Sequence, residues 1–295
     1  MAGFGRIAVT AERLRVLVAA PDPTVLAGCY DGVSARLVEQ AGFHAAHMSG
    51  FAVAGSLLGR PDVGLLTMTE MADAASRIAR VLSIPLLADA DTGYGNALNV
   101  VRTVEAYIAG GVAGMHLEDQ QMPKRCGHLA GKTVIPADEM AGKLRAAIDT
   151  RDAVGTDIVI IARTDARAIE GLDAALERAR RYRDAGADLL FVEALQSPAE
   201  VEAVAETFHD IPLVFNASEA RPPEFTLDQL GEMGFAVVLA PITTLLSATK
   251  AMQDSLTDLH ELGFRSDRLA TMTSYDDFLH LVGIDEIDEQ EQRYS

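Results

Sequence analysis

One pattern recurs through the chain and constrains it more than anything else: a short apolar run closes on polar or charged residues, and a helix-like stretch follows. The runs occupy residues 25–29, 45–48, 84–88, 114–117, 158–162, 189–192, 211–215 and 236–240. Runs this short, bounded by turn residues, suit strands buried on both faces. The intervening segments are amphipathic. In 69–82, Met71, Ala75, Ile78, Ala79 and Leu82 share one stripe, and 98–109, 138–148, 172–185 and 198–208 behave alike. Helices at this spacing imply parallel strand–helix–strand units. Eight such units favour a closed (β/α)8 TIM barrel over an open sheet. Gly42, Gly111, Gly186 and Gly234 each lie between a helix and the next run, where a left-handed glycine closes a helix.

Composition fits one large core, with 49% hydrophobic residues in a chain of 295. No linker or low-complexity tract interrupts the pattern. The reading is therefore a single barrel domain over 1–295 with a helical tail from about 264 to 295, where Phe278, Leu281, Val282, Ile284 and Ile287 offer a modest apolar face. The formal net charge of −18 repels nucleic acid and anionic membranes. An anionic substrate then needs a site that reverses the sign locally with Lys, Arg or a metal. Two cysteines exclude a disulfide framework. Residues 1–10, with a single Arg6, do not read as a signal peptide, and no apolar run is long enough to span a bilayer. A soluble, cytoplasmic protein is expected.

Barrel chemistry gathers at the C-terminal ends of the strands. The polar residues just after the runs are Tyr30 and Asp31, Ser49, Asp89 and Asp91, Glu118 and Asp119, Arg163 and Asp165, Glu193, and Asn216 and Glu219. Only the eighth run, ending at Ala240-Pro241, delivers none. Asp89-Ala-Asp91-Thr-Gly93-Tyr-Gly95 reads as a hard-metal site. Two carboxylates two apart in extended chain point the same way, oxygen ligands suit Mg2+, and Glu118 can complete the shell. An acidic loop with a turn is the plain alternative. Lys124-Arg125-Cys126-Gly127-His128 surrounds a thiol with basic residues, which should lower its pKa and give it thiolate character. Otherwise Cys126 is inert, as Cys29 inside an apolar run is expected to be. Arg163 emerges from an apolar run and needs an anion: a substrate carboxylate, or a salt bridge to Asp165 or Glu193. His47 and His116, at strand positions, read as structural.

These motifs, with Ser49-Gly50, Gly59-Arg-Pro-Asp62, His116-Leu-Glu-Asp119, Ala162-Arg-Thr-Asp-Ala166, Glu193-Ala194 and Phe215-Asn216, resemble the isocitrate lyase / phosphoenolpyruvate mutase superfamily from about Leu14 onward. The resemblance is to the short branch of methylisocitrate and 2,3-dimethylmalate lyases, and the box around Cys126 is its most specific part. It implies a barrel whose eighth helix is exchanged between subunits, in a homotetramer built as a dimer of dimers. It implies Mg2+, with Mn2+ as a substitute, near Asp62, Asp89, Asp91 and Glu118, largely through water. Ser49, Gly50, Asp89 and Arg163 would hold the 2-oxoacid half of a substrate, and His116, Gly127, Glu193, Asn216 and Glu219 would line the site. Cys126, Tyr30, Lys124, His128 and Arg163 would serve catalysis, with Cys126 as proton donor. The implied reaction is cleavage of a C–C bond in a small 2-hydroxy di- or tricarboxylate, giving a 2-oxoacid such as pyruvate. Phosphonomutase chemistry and oxaloacetate hydrolysis or decarboxylation are alternatives on the same scaffold. A non-catalytic acid-binding barrel is a further one. Residues 217–225 depart from the family pattern: its glycines are missing, and Arg221 and two prolines appear.

Overall fold

A computed structural model describes residues 11–219, 224–263 and 266–295. Eight parallel strands close into a barrel in sequence order. They are β1 (Thr24–Cys29), β2 (Ala46–Met48), β3 (Leu86–Asp89), β4 (Gly114–Glu118), β5 (Val159–Thr164), β6 (Leu189–Val192), β7 (Leu213–Asn216) and β8 (Phe235–Ala240). Closure is made by β8 on β1, with Thr24 opposite Val237 and Ala27 opposite Ala240. Every expected run is a strand. Several strands extend one or two residues past the apolar stretch, so that Asp89, Glu118 and Asn216 end strands and Arg163 lies inside β5.

The reason is burial on both faces: one face packs inside the barrel and the other under the helical ring. Leu86, Leu87, Ala88, Met115, Leu117, Ile160 and Ile161 are all buried. The ring includes the expected helices as Met68–Val81, Ala97–Ala109, Ala137–Val154, Leu172–Asp184 and Pro198–Thr207. Thr67 and Glu70 close a reciprocal cap at the start of the first of these. Gly42, Gly111, Gly186 and Gly234 have φ between 85° and 99°, as the helix-to-strand turns require.

The helix after β2 was not anticipated, nor were the helices Ala11–Val18 and Arg167–Glu170. Gly50–Leu58 follows β2 directly, and the Ser49 side chain caps it by accepting from the Ala52 amide. Beyond β8, the twenty-residue helix Thr243–Leu262 has no buried residue. The helices Tyr275–Leu281 and Ile284–Tyr294 follow. Among the described residues no helix is long and apolar enough to cross a membrane. The reading of residues 1–10 and the position of Arg221 lie outside the described residues.

Candidate active site

The strand ends converge on a cavity of about 250 Å3. Ser49, Asp62, Asp89, His116, Arg163, Glu193 and Asn216 line it from the barrel side, and Lys124, Cys126, Gly127 and His128 from the loop after β4. Phe51, Phe191, Leu129, Leu239, Pro241 and Ile242 give it an apolar wall, with His47 and Ser218 completing the lining. A larger cleft of about 810 Å3 adjoins it and shares Gly127, His128, Glu193 and Asn216.

The loop carrying Cys126 is held by backbone and side-chain bonds. The Gln120 amide group clamps both the Arg125 amide at 2.9 Å and its carbonyl at 2.8 Å. The Cys126 amide donates to the Asp62 carbonyl at 3.1 Å. The buried Lys132 ammonium donates to the Gly127 carbonyl and lies 3.4 Å from Asp165. Gly127 is required by the close approach: a Cβ there would meet Arg163 Nη2 at 2.7 Å and Glu193 Cγ at 2.8 Å.

Acids and cations interleave beneath this loop. Lys124 Nζ lies 2.8 Å from Asp62 Oδ2 and 2.6 Å from Asp91 Oδ1. Burial opposes its charge, but Asp91, Asp89, Glu118 and Asp62 outweigh burial and hold its pKa well above the usual lysine range. Arg163 donates from Nε and Nη2 to Asp165 at 2.9 and 3.1 Å. Its Nη1 stands 3.5 Å from Glu118, and the guanidinium lies over the Phe191 ring at 5.2 Å. The salt bridge foreseen as an alternative for Arg163 is thus formed with Asp165, while the guanidinium still borders the cavity. Asp89 accepts from the Asp91 amide at 2.9 Å and the Gly50 amide at 3.3 Å. Burial raises its pKa, but His116, Lys124 and Arg163 reverse this and keep it ionised below the usual carboxylate range. Glu118 is pushed the other way, because its burial is deeper than Arg163 and Lys124 can offset.

Two expectations are corrected here. Asp91 is not in extended chain; its φ is +47°, so it reaches the acid cluster through a left-handed turn after β3 rather than by strand alternation. The surroundings of the Cys126 thiol do not favour a thiolate. Burial raises its pKa and Asp62 adds to this, outweighing the His128 backbone amide, Arg163 and Lys124. Lys124 is committed to two carboxylates, which leaves little positive field for the sulfur.

Tyr30, Gly50, Asp91, Glu118 and Glu219 are not among the residues that line the cavity; Asp91 and Glu118 reach it only through Lys124 and Arg163. The Tyr30 amide donates to Ser34. Glu219 accepts from the Ile242 amide and from Thr243, at the start of the helix after β8. Gly50 stands one step outside, touching Asp89 through its amide. The sequence reading missed His47 as a lining residue. Its spacing of two from Ser49 puts both on one face of the chain, which was the available signal.

Asp62, Asp89, Asp91 and Glu118 all act on the Lys124 ammonium, so a cation is already favoured among them. Glu118 Oε1 is buried with no hydrogen-bond partner. Among the described residues no three His, Cys, Asp or Glu side chains converge closely enough to ligate an ion directly. Mg2+ retains several waters and takes few protein oxygens, so the residues fit it.

Comparison with known proteins agrees with this geometry. The phosphoenolpyruvate phosphomutase family model matches residues 14–260. The 2,3-dimethylmalate lyase of Eubacterium barkeri is 41% identical over 286 residues, 97% of this chain and 98% of that protein. The chloroplastic carboxyvinyl-carboxyphosphonate phosphorylmutase of Arabidopsis thaliana is 45% identical over 92% of this chain and 80% of its own. A crystal structure of 2,3-dimethylmalate lyase superposes with a TM-score of 0.92 at 36% identity, covering 98% of this chain and 97% of that one.

Proposed function

The chain belongs to the phosphoenolpyruvate mutase/isocitrate lyase superfamily and is a lyase, and from that premise we propose that it cleaves the C2–C3 bond of a small 2-hydroxy dicarboxylate or tricarboxylate of the 2,3-dimethylmalate or 2-methylisocitrate type. The observation that carries this reading is the half-buried Cys126 thiol bordering the same cavity as Arg163, Lys124, Asp62 and Asp89.

The chemistry needs a base to take the 2-hydroxyl proton. The alkoxide electrons form the ketone, and the C2–C3 bond breaks toward C3. The resulting carboxylate-stabilised carbanion takes the proton of Cys126, leaving a thiolate that is reprotonated from solvent. A raised thiol pKa suits this role, since the donor must hold its proton until a strong carbon base appears. Arg163, clamped by Asp165, presents a fixed guanidinium to the 2-oxoacid fragment. Asp62, Asp89, Asp91 and Glu118 would hold Mg2+, or Mn2+ in its place, with water completing the shell. When bound, the ion supplies Lewis-acid stabilisation of charge on the oxygens of that fragment. Lys124 keeps the acid cluster compensated, and Gly127 lets the loop backbone close against Arg163 and Glu193. Ser49 and the Gly50 amide border the end that Asp89 occupies. Asn216, bonded to Glu193 at 3.0 Å, and His128 border the other parts of the wall.

The helix Thr243–Leu262 exposes Leu246, Met252, Leu256, Leu259 and Leu262. A twenty-residue amphipathic helix with no buried residue supports its exchange between subunits of a homotetramer. The barrel and the tail form one domain in this reading, and the protein is cytoplasmic.

The 45% identical phosphorylmutase makes C–P chemistry the second reading. Purified enzyme with Mg2+ is offered 2,3-dimethylmalate, 2-methylisocitrate, oxaloacetate and phosphonopyruvate, and products are read by 1H and 31P NMR. Pyruvate with propionate or succinate is the expected result. Turnover of the phosphonate alone, or of oxaloacetate alone, would replace the proposal.

A further inference from the structure

Two histidines that the mechanism above leaves unused meet at the base of the cavity. His47 on β2 and His116 on β4 are both buried and both border it. Their Nε2 atoms are 3.2 Å apart. The rings lie 5.4 Å apart between centroids at 28°. Neither Nδ1 has a hydrogen-bond partner. His116 Nδ1 stands 3.6 Å from Asp89 Oδ1, too long for a bond but close enough for its sign to matter.

A bond between two Nε2 atoms needs one to carry the proton and the other to be bare. Both rings are buried, where a neutral imidazole with a single N–H is the favoured form. Two arrangements remain. In one, His116 donates from Nε2 and turns a bare Nδ1 lone pair toward the ionised Asp89. In the other, His47 donates from Nε2, and the His116 proton resides on Nδ1, facing the carboxylate. Electrostatics favour the second, because Asp89 attracts an N–H and repels a lone pair. The Phe191 ring, edge-on to His116, offers no competing acceptor.

We infer that His47 is a positioning residue that fixes the tautomer of His116 and, through it, the Asp89 carboxylate at the divalent-cation site. The chain of contacts runs from His47 Nε2–H to His116 Nε2, and from His116 Nδ1–H to Asp89 Oδ1. The Asp91 and Gly50 amides hold the same carboxylate from its other sides. Outer partners of this kind orient a carboxylate for its metal. The metal part of this inference rests on the proposed function; the tautomer does not.

Two measurements test it. A neutron structure of the wild-type enzyme in D2O should place deuterium on His47 Nε2 and on His116 Nδ1; deuterium on His116 Nε2 overturns the inference. Mn2+ affinity without substrate, read from the EPR signal of free Mn2+, should weaken by about 10-fold or more in His47→Phe, which keeps the ring and loses the donor. His47→Gln, which keeps an N–H donor, should bind Mn2+ near wild type. Equal Mn2+ affinity in folded His47→Phe and wild type also overturns it. A purely structural role would lower the melting temperature of both variants and leave Mn2+ affinity alone. If His47→Phe does not fold, His47→Gln and the neutron map decide. If wild-type enzyme binds no Mn2+, the metal reading falls and the neutron map alone decides the tautomer.

Discussion

Gly50→Ala is the sharpest perturbation of the candidate site, because it adds one carbon at a place with no room. A Cβ at Gly50 would stand 2.5 Å from Asp89 Oδ2 and 3.0 Å from its Cγ, where ordinary contact begins near 3.4 Å. Restoring that contact moves the carboxylate by about 0.9 Å, the difference between the two distances. The movement breaks the Gly50 amide bond to Oδ2 and pulls Oδ1 off the Asp91 amide. A misplacement of about 1 Å at a reacting centre costs on the order of 100-fold in rate, or about 2.7 kcal/mol of transition-state stabilisation. Global stability should change far less. Alanine favours the first turn of a helix over glycine by up to ~1 kcal/mol, against ~1–3 kcal/mol of overpacking. The assay is kcat/KM for 2,3-dimethylmalate cleavage with saturating Mg2+, beside a thermal melt. Kinetics within a few-fold of wild type would refute the claim that Asp89 must sit where the Gly50 amide holds it.

Other outcomes follow from the same contacts. Cys126→Ser should lose about 10²–10⁴ of turnover, the worth of a positioned proton donor, with an unchanged melt; retained turnover would remove the thiol from the chemistry. The donor works while protonated, and burial raises its pKa, so activity should persist as pH rises through the ordinary cysteine value of about 8.5. An alkaline limb below that pH, or rapid iodoacetamide alkylation at neutral pH, would contradict it. Asp165→Asn strips the clamp from buried Arg163 and should cost about 3–5 kcal/mol in chemical denaturation; a change near zero would mean the pair is dispensable. Chelation with EDTA should abolish turnover, and added Mg2+ or Mn2+ should restore it.

Much of the barrel was legible in the sequence, since strands buried on both faces must be apolar throughout and every such run was visible. Strand ends were harder. Asp89, Glu118 and Arg163 continue their strands although they are charged, because backbone pairing such as Glu118 opposite Arg163 does not depend on side-chain polarity. The helix Gly50–Leu58 escaped because it is apolar nearly all round and begins at a residue already assigned to substrate binding. In the site, position at the ends of the apolar runs found Asp89, Glu118 and Arg163, whereas the period of two along extended chain was used to place Asp91. That period failed at Asp91, where a positive φ breaks it. The thiol was misjudged because neighbours in sequence are not neighbours in field: Lys124 turns away to Asp62 and Asp91, while burial dominates at Cys126. Lys132 gave no local signal at all; its contact with Asp165 joins two loops through space.

Carbon–carbon cleavage with delivery of a proton to the carbanion is the central claim, and one NMR experiment reaches it directly. Wild-type enzyme and Mg2+ are incubated in D2O, in separate samples, with 2,3-dimethylmalate, 2-methylisocitrate and phosphonopyruvate, and the products are followed with time. From 2,3-dimethylmalate, pyruvate and propionate should appear in equal amounts, each propionate bearing a single deuterium at C2 that arrived through the exchangeable Cys126 thiol. Intact 2,3-dimethylmalate and 2-methylisocitrate beside a consumed phosphonate, or propionate formed at the wild-type rate by Cys126→Ser, would contradict it.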